Sequence, residues 1–424
     1  MLLFAIYYLV SPILYLFLLL ISQFNKKIKT VFEQQKKSVK KIEEQLKTDK
    51  KKIIIHAASA GEYEQIKPIL RIIDKNDYFV IVTCMSPTIY NSIKNDQLSD
   101  VYCYHPFDLP WLANKFLKLI KPSIYLTTRH DIWPSHLYTA KKMNIRTIII
   151  NANLYQKSKR LKWYSINFTK YIFNLFDLIV VPSDKIQNIF KEQLQIDNTC
   201  IISDTRFEQI IHRKNNSNGI PEIESIYGKN NIIFGSISYE DLKLFHTNEK
   251  IQNISNLIKD KNSINWAIIV PHEIDEKLIK KIEQKFPQAI RYSNIENIKQ
   301  NDFGILIVDK VGILPELYKY TKIAYVGGGF GKGVHSTIEP LIYNNIVCYG
   351  PNIDLLDEAK EMSEKKCGFI INTGEEISKL CWEQFTENEC AETTKNEIEK
   401  NIKEYSNEKE KSSKKIYEII EKYA

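Results

Sequence analysis

Short apolar runs recur along this chain, separated by stretches with helical periodicity, and that alternation restricts the fold more than any other feature. IIIHAAS (53–59), YFVIVTC (78–84), SIYLTT (123–128), RTIIINA (146–152) and DLIVVPS (177–183) form one series, closed by TCIISDTRF (199–207). NIIFGSIS (231–238), NWAIIVPHE (265–273), GILIVD (304–309), KIAYVGGG (322–329), IVCYG (346–350) and GFIIN (368–372) form a second. Continuous rather than alternating hydrophobicity is what strands need when helices cover both faces of a parallel sheet. Two successive βα series predict an α/β chain with two facing, doubly wound, Rossmann-like domains. The Asn-rich stretch HRKNNSNGIPE (212–222), with Gly219 and Pro221 as breakers, is the candidate boundary. It sets the domains at 53–215 and 216–424, the second ending in polar helices.

Ahead of the strands, Leu2 to Ile21 is a run of twenty residues without a charged side chain. As a helix it would be about 30 Å long, the thickness of a bilayer core. Lysines follow it rather than precede it, which points to an uncleaved anchor (1–22) with the remainder of the chain in the cytoplasm. Pro12 leaves a bent helix lying in the membrane plane open as an alternative to a span. Residues 22–52 contain eleven Lys against four acidic residues, so this basic linker or helix (23–52) holds nearly all of the net charge of +8. Such a belt suits anionic membrane lipids. The near-neutral body argues against nucleic acid as a partner. Seven scattered cysteines without a CxxC pair read as reduced thiols, with neither a zinc ribbon nor a disulfide framework.

In doubly wound sheets ligands bind beyond the carboxyl ends of the strands, and the unusual residues fall there. The first strand runs into HAASAGE, where Ser59, Ala60 and Gly61 allow close backbone approach and Glu62 stands at a helix start. A helix-dipole partner without chemistry is the plainer role for Glu62. TTRHDIWP (127–134) and SDTRFEQ (203–209) add Arg129, His130, Asp131 and Arg206; Trp133 reads as packing, and Asp131 and Asp204 serve equally well as turn or cap residues. In the second half, Gly235 and Ser236 follow one strand, and His272 and Glu273 another. The densest signal is VGGGFGKGVHSTIEP (326–340). Gly327, Gly328, Gly329, Gly331 and Gly333 predict a turn whose N–H groups cradle an anion, with Lys332 and His335 as further donors and Glu339 as acceptor for a hydroxyl pair. The pattern is neither a dinucleotide fingerprint nor a P-loop. No metal-ligand cluster and no DxD pair occur, so no metal or other cofactor is expected.

Taken together, the apolar start, HAASAGE, the D-I-W-P segment, SDTRFE, the Gly-Ser pair and VGGGFGKGVHSTIEP followed by YGPN resemble the 3-deoxy-D-manno-octulosonic acid (Kdo) transferases of lipopolysaccharide biosynthesis over essentially the whole chain. The resemblance implies a metal-independent GT-B fold that moves Kdo from CMP-Kdo to a lipid A precursor at the cytoplasmic face of the inner membrane. It implies Glu62 as the catalytic base, with Ser59, Ala60, Gly61, Arg129, Asp131 and Arg206 on the acceptor side. Gly235, Ser236, His272, Glu273, the glycine turn, His335, Ser336 and Glu339 would hold the donor, and Arg206 would face a donor carboxylate or an acceptor phosphate.

The chain departs from the family pattern at several of these positions. Arg129 stands where many members have Glu, Pro271-His272-Glu273 replaces P-R-H, Ser336 replaces Asn, and Leu355-Leu356 replace an N-F pair. These changes bear on acceptor identity and phosphate contacts rather than on the reaction class. Two other readings stay open on sequence: a GT-B transferase using a UDP- or GDP-sugar on a lipid acceptor, and an inactive membrane-bound scaffold.

Overall fold

A computed structural model describes residues 2–93, 96–226, 230–245, 264–295, 304–354, 356–385 and 389–424. The chain forms two compact units, Met1–Gln209 joined by Glu410–Ala424, and Ile210–Lys409.

The first unit is built on seven parallel strands: β1 (Lys51–His56), β2 (Tyr78–Cys84), β3 (Val101–Tyr104), β4 (Ile124–Thr128), β5 (Arg146–Ile150), β6 (Leu178–Val181) and β7 (Thr199–Ile201). Their order is β3-β2-β1-β4-β5-β6-β7, a doubly wound sheet whose direction of winding reverses between β1 and β4. Ile53 and Ile55 of β1 enter the apolar cluster on one face and Ile54 the cluster on the other, which is why these strands read as unbroken apolar runs. The second unit repeats the plan with β8 (Asn231–Ile237), β9 (Trp266–Pro271), β10 (Ile290–Arg291), β11 (Gly304–Ile307), β12 (Ile323–Val326), β13 (Ile346–Tyr349) and β14 (Gly368–Ile370), in the order β10-β11-β9-β8-β12-β13-β14. Here the switch lies between β8 and β12.

The doubly wound class is as expected from the apolar runs, and the differences are local. Sequence reading passes over two strands, the four-residue β3 (VYCY) and the two-residue β10. The expected boundary at 215/216 moves to 209/210 because HRKN continues the helix Arg206–Asn215 instead of forming a linker. The last helix, Ser412–Tyr423, belongs to the first unit rather than the second: Ile416 and Ile420 are fully buried in its core, and Ser413 N donates to Glu208. After β8 the chain makes a 3₁₀ turn, Glu240–Phe245, and residues 246–263 lie outside the described residues.

The N-terminal segment forms two helices, Leu2–Phe24 and Lys26–Gln45. Ile6–Phe24 is long and apolar enough to cross a membrane. Leu9, Ile13, Leu16, Phe17, Leu20 and Phe24 are exposed along it, whereas Ser11 and Ser22 are buried and the Tyr7 hydroxyl donates to Asp108. The basic stretch is not a free linker. Its helix buries Ile42, Gln35 Nε2 donates to His105 O at 2.8 Å, and Tyr104 N donates to Ser38 Oγ at 2.9 Å, leaving one lysine-bearing face outward.

His56, His105 and His136 cluster beneath this region, each fully buried, with neighbouring ring centroids 4.3 Å apart and the rings tilted to one another. Burial, reinforced by the adjacent histidines, holds the pKa of His105 well below the ordinary value. Burial also lowers His136, against the opposing pull of Asp108. Both are therefore neutral in the fold but take up protons in the unfolded chain below about pH 6.5, so stability is full above that pH and declines as pH falls. Denaturant unfolding should show a loss approaching about 1.4 kcal/mol per pH unit for each histidine below that point. His105→Phe should flatten this dependence; an unchanged slope in the variant contradicts the assignment.

Candidate active site

Ligand crevices in doubly wound sheets open where the winding reverses. In the first unit that point lies between the ends of β1 and β4, and two carboxylates meet there. β1 leads through Ala57 and Ala58 into the helix Ala60–Ile72, with Ser59 as N-cap. Ser59 Oγ accepts from Glu62 N at 3.3 Å, while Glu62 Oε2 accepts from Ser59 N at 3.0 Å and Ala58 N at 2.9 Å, a reciprocal capping box. The plainer role foreseen for Glu62 is thus real, but it engages only one carboxylate oxygen. Ser59, Ala60 and Gly61 are exposed, and a methyl group added at Gly61 would meet nothing within 4 Å, so the approach above the helix start is open.

Asp131 arrives from the loop after β4. Arg129 adopts φ 55°, its N–H donates to Ile150 O, and Asp131 N donates to Thr128 O, which turns the loop back over the sheet end. Asp131 Oδ2 then accepts the same Ala58 N–H that Glu62 uses, at 3.1 Å. His56 Nε2 lies 3.1 Å from Asp131 Oδ2, though not aligned as a hydrogen bond, and its Nδ1 is 2.8 Å from Thr83 Oγ1. Burial raises the Glu62 pKa, the Asp131 charge raises it further, and the Ser59 and Ala58 amides oppose both. A carboxylate in this state is a stronger base than one in water. Arg206 Nε donates to Asp204 Oδ2 at 2.9 Å, and Asp204 also accepts from Gln65 Nε2 one turn beyond Glu62. The SDTRF segment is thereby locked to the helix that carries Glu62, and Thr205 Oγ1 donating to Gln65 O completes the lock.

In the second unit the switch point gathers the ends of β8 and β12. Ser236 takes φ 54° at an irregularity of β8, and a Cβ on Gly327 would collide with Ser236 O. A Cβ on Gly329 would lie 2.6 Å from Gly350 N. Close packing of three backbone segments therefore requires these two glycines. The N–H cradle expected of the turn is not what forms. Gly327 N donates to Gly235 O, Gly328 N to Asp241 Oδ2, and Gly331 N and Gly333 N both to Gly328 O, so these four amides hold the turn itself. Asn352, in YGPN, closes it through bonds to Gly329 O and Gly331 O.

His335 stacks on His272 with centroids 4.0 Å apart, and burial, then the neighbouring His272, lowers its pKa. Glu339 stands near the start of the short helix Ile338–Ile342 and receives Arg213 Nη2 at 2.5 Å, an ion pair that sequence reading did not foresee. Ser336 is half-buried beside the N-cap Thr337, whose own hydroxyl is buried without a hydrogen-bond partner. Lys332, His272 and Glu273 are exposed.

Two organising residues escaped sequence reading. Asp241 accepts from Ser238, Tyr325 and Gly328 and so sets the glycine turn. Its signal was an acidic residue three positions after Ser238, which also looks like an ordinary helix start. His56 looked like part of a buried strand, and only the fold brings Asp131 to it.

Residues 28–209, most of the first unit, match the family described as 3-deoxy-D-manno-octulosonic-acid transferase (kdotransferase). Among curated proteins, the 3-deoxy-D-manno-octulosonic acid transferase of Aquifex aeolicus is 28% identical over 332 residues, covering 77% of this chain and 84% of the relative. That of Chlamydia muridarum is 25% identical and covers 70% of each. Among solved structures, the UDP-GlcNAc 2-epimerase of Neisseria meningitidis superposes with a TM-score of 0.60 at 14% identity, covering 88% of this chain and 100% of that one, a likeness of fold alone. The resemblance carried by HAASAGE and VGGGFGKGVHSTIEP therefore holds as a similarity: the chain resembles curated Kdo transferases over most of its length, and residues 28–209 match the family's model.

Proposed function

We propose that this chain is a glycosyltransferase that moves Kdo from CMP-Kdo to a lipid A precursor, with Glu62 as general base. The observation that carries this reading is the Glu62–Asp131 pair at the first switch point, sharing the Ala58 amide, within motifs of a Kdo transferase family. Glu62 Oε1 takes the proton of the acceptor hydroxyl as its oxygen attacks the anomeric carbon. The bond to the cytidylate phosphate breaks on the opposite side, so configuration inverts and CMP leaves with the bonding pair. The raised basicity of Glu62 serves this step, and Asp131 with the Ala58 and Ser59 amides fixes the carboxylate that performs it.

The donor belongs to the second unit in this reading. His335 and His272, beside the start of Ile338–Ile342, receive the nucleotide phosphate, and the leaving monophosphate requires no metal. Glu339, tied to Arg213, holds the sugar or ribose side of the nucleotide. The exposed apolar stripe of Ile6–Phe24 and the outward lysines of Lys26–Gln45 rest on the cytoplasmic face of the inner membrane, against anionic lipids.

Glu62→Gln should lower kcat for Kdo transfer by about 10²–10⁴-fold, while CMP, and not UDP, continues to raise the melting temperature. Normal turnover in the variant, or protection by UDP alone, contradicts the reading, the first outcome pointing away from this base and the second to a different donor. Asp131→Asn removes a charge that raises the Glu62 pKa. Its pH–rate profile should therefore keep activity to lower pH on the acid limb, with a reduced plateau because the base is weaker. An acid limb displaced to higher pH would contradict the coupling.

A further inference from the structure

A cavity of about 360 Å³ lies beside the loop that carries Asp131, formed between Ile132 and Pro134 on one side and the helix Ile166–Phe173 on the other. That volume falls within the range of about 300–1,000 Å³ typical of small-molecule sites. We propose that it is a subsite for one acyl chain of the anionic lipid acceptor, with Arg160 at its rim taking the lipid's phosphate; the assignment rests on the transfer reading given above.

Three observations carry it. The first is the wall. Ile132, Pro134, Phe168, Ile172 and Phe173 present apolar surface, and the Thr169 and Ser165 hydroxyls among the lining residues are already spent on backbone. Thr169 Oγ1 donates to Arg160 O, and Ser165 Oγ donates to Lys159 O and Lys162 O. A sugar or a peptide would find little to bond inside, whereas a hydrocarbon chain needs nothing more than exclusion of water.

The second is the rim. Arg160 Nη2 donates to His130 O at 3.1 Å, while Nη1 is buried with no hydrogen-bond partner. A buried guanidinium nitrogen without an acceptor is costly, and a phosphate oxygen would satisfy it in the bidentate manner guanidinium favours. Around this rim the sequence KRLKWY (159–164) sets lysines beside exposed Trp163 and Tyr164, the composition that collects at a membrane–water boundary.

The third is position. Within five residues, Asp131 serves the candidate base, Ile132 and Pro134 line the cavity, and Ser135 N donates to Asp108, which also receives the Tyr7 hydroxyl of the N-terminal helix. A chain inserted here would hold its headgroup between the helix that faces lipid and the carboxylates that act on it. Bulk phospholipid meets the same apolar wall but brings no sugar hydroxyl to Glu62, so the acceptor is the occupant the position favours.

The test uses the full chain in detergent and a phosphorylated, tetra-acylated disaccharide with a diazirine at the end of one acyl chain. After irradiation, peptide mapping should place the label in 132–134 and 164–173. Unlabelled acceptor should compete, with affinity falling about fourfold for each methylene withdrawn from the chain, and phosphatidylglycerol at equal concentration should not. Phe168→Trp, which fills the cavity from a half-buried position, should remove the label and raise the acceptor KM while leaving kcat for bound acceptor near normal. Arg160→Gln should weaken labelling by the phosphorylated probe but not by its dephosphorylated form. Label spread elsewhere, or equal competition by phosphatidylglycerol, overturns the subsite. Kdo transfer without labelling of the cavity removes the subsite alone, whereas labelling without transfer removes the reaction and leaves the lipid site.

Discussion

One backbone amide organises the first unit's chemistry. The Ala58 N–H is shared by Glu62 and Asp131, at 2.9 and 3.1 Å, where the winding of the sheet reverses. Two carboxylates brought this close would repel, and the shared donor, the Ser59 amide and the neighbouring His56 make the arrangement tolerable. The remaining repulsion and the burial are not waste: they keep Glu62 more basic than a carboxylate in water. In the proposed mechanism, the capping box and the general base are the same side chain used twice, once through each oxygen.

What holds Asp131 in place reaches well beyond the site. Its loop is followed by Ser135 and His136, both bonded to Asp108, and Asp108 is bonded to Tyr7 of the N-terminal helix. The buried histidine cluster lies beside this chain of contacts, His136 itself bonding Asp108. The apolar helix is therefore seated on the first unit along one face and exposed along the other, and its seat abuts the segment that supplies Asp131.

Much of this was legible before any coordinates, for identifiable reasons. A strand covered on both faces must be apolar throughout, so all strands but β3 and β10 stood out. Residues at strand ends in doubly wound sheets face the ligand side, which brought Glu62, Asp131 and the glycine turn forward. Pairing across the sequence was not legible. Nothing local to Glu339 announces Arg213, nothing local to Arg206 separates a substrate contact from its bond to Asp204, and Asp241 looks like any helix-start acid. The glycine turn shows the limit best: its composition suggested anion-binding amides, whereas close packing against Ser236 and Gly350 is what excludes side chains there. The C-terminal helix was misplaced for a related cause, since amphipathic periodicity tells that a helix has a partner but not which one.

The most direct measurement is mass spectrometry of the acceptor after incubation of the full chain with CMP-Kdo and a tetra-acylated lipid A precursor. The account predicts a gain of one or more whole Kdo units, with CMP released in equal number. An acceptor of unchanged mass beside intact CMP-Kdo, or a gain only when a UDP- or GDP-sugar replaces the donor, would contradict it.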